Sequence, residues 1–245
     1  MSGPLLSVEG VCLSYGRFQA VRAASFAVAP GQVLGLCGHN GAGKSSVVRM
    51  LSGLHRPDSG RIVLDGTARS FSSVRDAQVQ GVALVDQELS VIPALTVAEN
   101  LALGEAGLGL RGVLPAAEIC RRLDAVGLEA LEPSSYLEDL SIGERQLVEI
   151  ARALGRNARL FILDEPTATL NSADIAHVFA AVRRVTAQGC AVIYVSHRLD
   201  EVLELCDHIV VMRDGAVVAD ETAEDMDARR LVTLMIGHAP PPVVR

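Results

Sequence analysis

Residues 38–46 read GHNGAGKSS and fit the pattern G-x-x-x-x-G-K-[ST]. The chemistry such a stretch can do is the capture of phosphate. Gly41 and Gly43 let the backbone curl so that successive N–H groups point inward at phosphate oxygens. A helix opening just after the loop adds the positive end of its dipole. Lys44 reaches the β- and γ-phosphates of a nucleotide, and Ser45 offers a hydroxyl to Mg²⁺. Gly38, His39, Asn40, Ala42 and Ser46 complete the stretch that would wrap the phosphates.

Further groups could act on a phosphate held there. LFILDE, at 160–165, is an apolar run ending in two carboxylates. Such an ending is common in plain strands, but beside a phosphate loop it gains a role. Asp164 can hold Mg²⁺ through water, and Glu165 can orient and polarise an attacking water. His197 closes AVIYVSH and Gln87 closes VALVDQ. A satisfied structural histidine is the plainer reading of His197, yet ligands gather at the carboxyl ends of strands in α/β sheets. An amide at Gln87 could report on metal and water. Tyr15, in LSYGRF, is either a stack for a base or a packed aromatic before a turn. The other histidines show no metal-ligand spacing.

These groups need elements to position them. VLGLCG at 33–38, VALVDQ, RLFILDEP and AVIYVSH are short apolar runs, the form of strands buried on both faces. Helical patterns separate them: KSSVVRMLSGL, FSSVRDAQVQG, GERQLVEIARAL, the run from Ser172 with Ile175, Val178, Phe179 and Val182 on one face, and RLDEVLELC. The alternation predicts a mostly parallel sheet covered on both sides. LLSVEGVCLSY and FQAVRAASFAVAP are strands too close together for crossovers, so an antiparallel flank is expected. HIVVMRDG and AVVADE predict a hairpin. Residues from about 89 to 157 read as nearly all helix, a lobe inserted between two core strands. One domain over 4–237 is expected, with 238–245 (HAPPPVVR from His238) as a tail or linker.

Bulk properties narrow the class. At 245 residues the chain can bury a core without metals or disulfides. A net charge of −7, no tryptophan and three tyrosines argue against a nucleic-acid partner. Five scattered cysteines with no C-x-x-C predict buried free thiols in a reducing compartment. The opening MSGPLLSVEG lacks the pattern of a secretory signal, and no apolar run reaches the ~18 residues that span a bilayer.

Taken in order, GHNGAGKSS, the Gln87 segment, LSIGE (140–144), LFILDEP and VSHR resemble the nucleotide-binding domain of ABC ATPases over nearly the whole chain. VDQELSVIPALTVAENLALG, LSIGERQLVEIARAL and YVSHRLDEVLELCDHIVVMRDG further resemble the ATPases of bacterial simple-sugar importers. The resemblance implies a P-loop α/β fold with a parallel core, an antiparallel flank and a helical subdomain, ATP and Mg²⁺ as cofactors, and ATP hydrolysis driving uptake of a sugar. Another small polar solute, such as a nucleoside, is the nearer alternative, and a soluble ABC protein acting on ribosomes or DNA the more distant one. The implied partners are transmembrane permease subunits, a second ABC domain and, indirectly, an extracytoplasmic solute-binding protein. The implied location is peripheral, on the cytoplasmic face of the membrane.

In that family two domains sandwich ATP head to tail. The resemblance therefore assigns Ser141 and Gly143, in LSIGE, to the γ-phosphate held by the opposite domain, where a helix N-terminus suits an anion. It makes Gln87 a link from metal to permease, Glu165 the catalytic carboxylate, His197 a holder of γ-phosphate and water, and Tyr15 the adenine stack. Ile142 stands where glycine is commoner, as is usual in the sugar subgroup. Asn171, in ATLN, stands where many relatives carry an aspartate. The second domain is either a fused second half or a copy of this chain. The opening methionine tips the expectation toward the copy.

Overall fold

The computed structural model describes residues 3–105, 112–155 and 158–237; the expected tail at 238–245 and residues 106–111 and 156–157 of the expected helical lobe lie outside them. The strands are β1 (Leu6–Tyr15), β2 (Phe18–Val28), β3 (Val33–Cys37), β4 (Ser59–Leu64), β5 (Thr67–Arg69), β6 (Val82–Val85), β7 (Leu160–Asp164), β8 (Ala191–Val195), β9 (His208–Arg213) and β10 (Ala216–Thr222). The helices are α1 (Lys44–Leu51), α2 (Val74–Val79), α3 (Val97–Ala102), α4 (Ala116–Val126), α5 (Ile142–Leu154), α6 (Ser172–Ala187), α7 (Leu199–Leu205) and α8 (Ala228–Ile236).

The core is a six-stranded sheet in the order β10-β9-β3-β8-β7-β6. β9, β3, β8, β7 and β6 run parallel, and β10 returns antiparallel on β9. Every residue of β3 and β8 is buried. Alternation sorts their side chains between two cores. Val33, Cys37, Phe161, Leu163, Val192 and Tyr194 join Leu147, Val148 and Ile150 of α5 and Val178 and Val182 of α6. Leu34, Leu36, Leu160, Ile162, Ile193 and Val195 face the other way, onto Val47, Met50 and Leu51 of α1 and Leu6, Val8, Phe26 and Val28 of the flank. That flank is the expected antiparallel sheet, in the order β2-β1-β4-β5.

Some expectations needed correction. β5 is three exposed residues without an apolar signal, and α8 buries only Leu231; neither stood out in the sequence. The stretch after β6 is less helical than its pattern. Residues 88–96 are non-helical, and the buried Asn100 holds this turn through Ile92 N (2.8 Å), Ile92 O (3.0 Å) and Thr96 O (3.0 Å). A side chain that satisfies loop backbone in this way removes the need for a helix. Of the thiols, Cys37 and Cys206 are buried, whereas Cys120 is exposed on α4.

Candidate functional site

The phosphate-type loop connects β3 to α1. Gly41 has φ of 84° and Gly43, the N-cap of α1, has φ of 105°. Both lie in the left-handed region that glycine alone enters freely. A Cβ at Gly43 would also stand 2.6 Å from the Ala20 carbonyl oxygen. No side chain caps α1, so its first N–H groups remain for an anion. Lys44 folds back into the loop. Its buried ammonium donates to the carbonyls of Gly38 (2.7 Å) and His39 (3.2 Å). Burial lowers the Lys44 pKa, and Glu165, Cys37 and Asp164 pull it back up.

The carboxylates arrive from β7. Burial raises the Asp164 pKa from 3.8 to about 6, with Asp86 and Glu165 adding to the rise and Lys44 and Arg49 opposing it. Glu165 has φ of 48°, a strained conformation for a side-chain-bearing residue. Its N–H donates to Val195 O at 2.8 Å, which anchors it beside the end of β8. Two residues past that end, His197 Nδ1 lies 2.9 Å from Glu165 Oε1. Gln87 lies two residues past β6, and its N–H is held by Asp86 Oδ1 at 2.8 Å. β3, β6, β7 and β8 thus deliver all these groups at one edge, their carboxyl ends.

A cleft of about 370 Å³ opens there, lined by Tyr15, Asn40, Gly41, Ala42, Gly43, Lys44, Ser45, Ser46, Gln87, Asp164 and Glu165, together with Phe18 and Ala20. The structure therefore gathers most of the expected residues. Gly38 and His39 back the loop through Lys44, and His197 stands behind Glu165. Three contributors were missed. Phe18 is 63% exposed at the cleft mouth; a large apolar residue just past the Gly16-Arg17 turn was the available signal. Ala20 and Asp86 offered none. Tyr15 meets His55 edge-on, with ring centroids 5.4 Å apart.

Ser141 and Gly143 are not part of this cleft. They open α5 beside a different cavity of about 520 Å³, lined by Ser141, Glu144, Asp174 and His177 among others. Ser141 Oγ accepts from Glu144 N (3.2 Å) while Glu144 Oε2 accepts from Ser141 N (2.9 Å), a complete capping box. Gly143 is packed so closely on α6 that a Cβ would meet Asp174 Cγ at 2.6 Å. Asn171 caps α6, accepting from Ala173 N (2.9 Å) and Asp174 N (3.0 Å).

Among the described residues there is no group of three or more His, Cys, Asp or Glu placed to hold a metal. The cleft instead offers two carboxylates, Asp164 and Glu165, beside the neutral oxygens of Ser45 and Gln87. That fits Mg²⁺, which keeps waters and takes few protein carboxylates when phosphates share it. A cation would also offset the burial and the neighbouring charges that raise Asp164.

The family model described as ABC transporter matches residues 21–168, more than half of the chain. An arabinose import ATP-binding protein, AraG 2 of Burkholderia cenocepacia (strain HI2424), is 42% identical over 240 residues, covering 97% of this chain and 47% of the relative. A ribose import ATP-binding protein, RbsA of Burkholderia mallei (strain ATCC 23344), is 41% identical over 241 residues, covering 96% and 47%. The chain thus spans about half the length of these curated relatives. The crystal structure of the ADP conformation of MJ1267, an ATP-binding cassette of an ABC transporter, superposes with a TM-score of 0.84 at 26% identity, covering 96% of this chain and 100% of that one. With its phosphate-type loop, parallel core and antiparallel flank, this chain belongs to the ABC transporter family and has the fold of its ATP-binding cassettes.

Proposed function

We propose that the chain binds Mg-ATP in the 370 Å³ cleft and hydrolyses it to drive uptake of a simple sugar through a separate membrane permease. The observation that carries the hydrolytic part is the Glu165–His197 pair, 2.9 Å apart at the edge of a cleft whose floor is an uncapped helix N-terminus. The loop N–H groups and Lys44 hold the phosphates. Ser45, Gln87 and Asp164 would hold Mg²⁺, which would supply charge neutralisation on the phosphate oxygens. Glu165 orients a water for in-line attack, and His197 steadies that carboxylate and the terminal phosphate. Tyr15 stacks on the base. The sugar assignment is supported by the import proteins named above, which resemble this chain over nearly all of its length.

The cleft is completed by a second cassette. Ser141 and Gly143 cannot serve their own chain's cleft and instead present an α5 N-terminus to the partner's γ-phosphate. ATP then joins the two domains and its hydrolysis releases them, a population shift driven by one phosphate. Among the described residues no helix is long and apolar enough to cross a membrane. In this reading contact with the bilayer is made through the permease, at its cytoplasmic face, and a solute-binding protein acts from the far side.

The test is Glu165→Gln in purified protein. ATP binding should persist while turnover falls by a factor of about 10² to 10⁴, the usual share of a positioned acid–base group. Undiminished turnover would remove Glu165 from this role. The transport arm is tested by reconstituting the ATPase with its permease, where ribose- or arabinose-dependent stimulation is expected and stimulation by ribosomes or DNA would refute it.

A further inference from the structure

Behind the Glu165–His197 pair lies a buried polar cluster centred on Glu201 of α7, which is 4% exposed. Its Oε2 accepts from Thr167 Oγ1 (2.6 Å), Tyr194 OH (2.7 Å) and Ser196 Oγ (3.4 Å). The Thr167 and Tyr194 hydroxyls are themselves 3.3 Å apart. Glu201 Oε1 stands 2.7 Å from Arg198 Nη1, an ion pair whose alignment gives no hydrogen bond. The backbone N–H of Arg198 in turn donates to Ser196 Oγ at 3.0 Å.

The donors come from two separate stretches of chain. Thr167 lies two residues past Glu165. Ser196 and Arg198 flank His197 on either side. One carboxylate therefore grips the segment that carries Glu165 and the segment that carries His197. Burying a carboxylate is costly unless it is paired and hydrogen-bonded, and apolar packing would stabilise the same space more simply. What this cluster adds is fixed position. The backbone of Glu165 calls for it, because a left-handed φ of 48° persists only where the surroundings over-determine it. Burial, joined by the Glu201 charge and opposed by the bond to Thr167, raises the Tyr194 pKa, which keeps its phenol a donor.

We propose that Glu201 is a positioning residue for hydrolysis: it locks the Thr167 and Ser196 segments together and so sets the approach of His197 to Glu165. It touches neither substrate nor metal and acts through the pair in front of it. This inference rests on the hydrolytic role proposed for the cleft.

The experiment is steady-state ATP hydrolysis and nucleotide binding by the purified chain carrying Glu201→Ala or Glu201→Gln. Misplacing a reacting group by about 1 Å can cost 10²-fold, so Glu201→Ala should lower kcat by roughly 10- to 100-fold. KM and ATP affinity should stay within about twofold, because the phosphate loop is untouched. Glu201→Gln, which keeps an acceptor for Thr167 and Tyr194, should recover most of the loss. In a His197→Ala background the added effect of Glu201→Ala should shrink to about twofold or less, since residues acting through one another are not additive. If Glu201→Ala does not fold, Thr167→Val and Tyr194→Phe each delete one donor and carry the same test. Unchanged kcat, or losses that multiply with His197→Ala, would overturn the inference while leaving the site intact. Failure of the unaltered chain to bind nucleotide would overturn the proposed function itself.

Discussion

His197 Nδ1 lies 2.9 Å from Glu165 Oε1, although 32 positions separate the two residues in the chain. The strands before them make the pair. β7 and β8 run parallel with Asp164 opposite Val195, so both leave the sheet at the same height. Groups that act as one unit do not lose activity additively. Glu165→Gln combined with His197→Ala should therefore turn over ATP no more than about threefold more slowly than the worse single variant. Stopped-assay turnover checks this, and a product of the two separate losses would mean that they act independently.

Lys44 donates to two loop carbonyls from a buried position. Hydrogen bonds to charged groups contribute about 1.5–3 kcal/mol, so Lys44→Ala should weaken ATP binding by roughly 10- to 100-fold. Calorimetric titration reads this directly. Lys44→Arg should not restore affinity, because the wider guanidinium does not fit between those carbonyls and a phosphate.

The raised pKa of Asp164, about 6 against an ordinary 3.8, sets a pH signature. Below about pH 3 both folded and unfolded states hold the proton. As pH rises toward 6 the unfolded state releases it first, so the metal-free fold loses stability across that window and carries the full penalty above it. Asp164→Asn removes the penalty. At pH 7, without Mg²⁺, it should stabilise the protein by on the order of 2 kcal/mol, allowing for partial solvent screening. The gain should shrink toward pH 4 and vanish below about pH 3. Urea unfolding at several pH values measures it, and a pH-independent gain would point to another cause.

Ser141 has a structural duty and a proposed functional one, and they can be separated. Ser141→Ala removes the α5 cap and should cost about 1 kcal/mol in unfolding. Ser141→Asp keeps a capping oxygen but turns a negative charge toward the partner's γ-phosphate. It should melt near the unaltered protein, bind ATP normally as a monomer and lose turnover. Equal loss of monomer affinity would place Ser141 in its own chain's site instead.

Arg122 is a buried residue within α4, paired with Glu105 (2.7 Å) and Glu118 (2.6 Å) and donating to Gly155 O. A Cβ at Gly155 would overlap its guanidinium. Gly155→Ala should therefore destabilise by about 1–3 kcal/mol, the range for overpacking, without altering ATP affinity. Thermal melting beside nucleotide titration distinguishes this from damage to the cleft.

What the amino-acid order determined by itself was local chemistry and periodicity. GHNGAGKSS declares its loop because glycine is needed where φ is positive, as at Gly41 and Gly43. Apolar runs that end in Asp164-Glu165 and in His197 declare strand ends, because uninterrupted apolar runs suit strands covered on both faces. What only the tertiary structure decided were relations between distant segments: Asp86 crowding Asp164, Phe18 reaching the same cleft as Tyr15, Asn100 replacing helix with a held turn, and Ser141 opening onto a different cavity. Glu201 shows the reason. Along the chain it is one acid on an amphipathic helix, like its neighbours. Only the parallel register of β7 and β8, and burial that makes an unpaired carboxylate costly, bring three hydroxyls onto it.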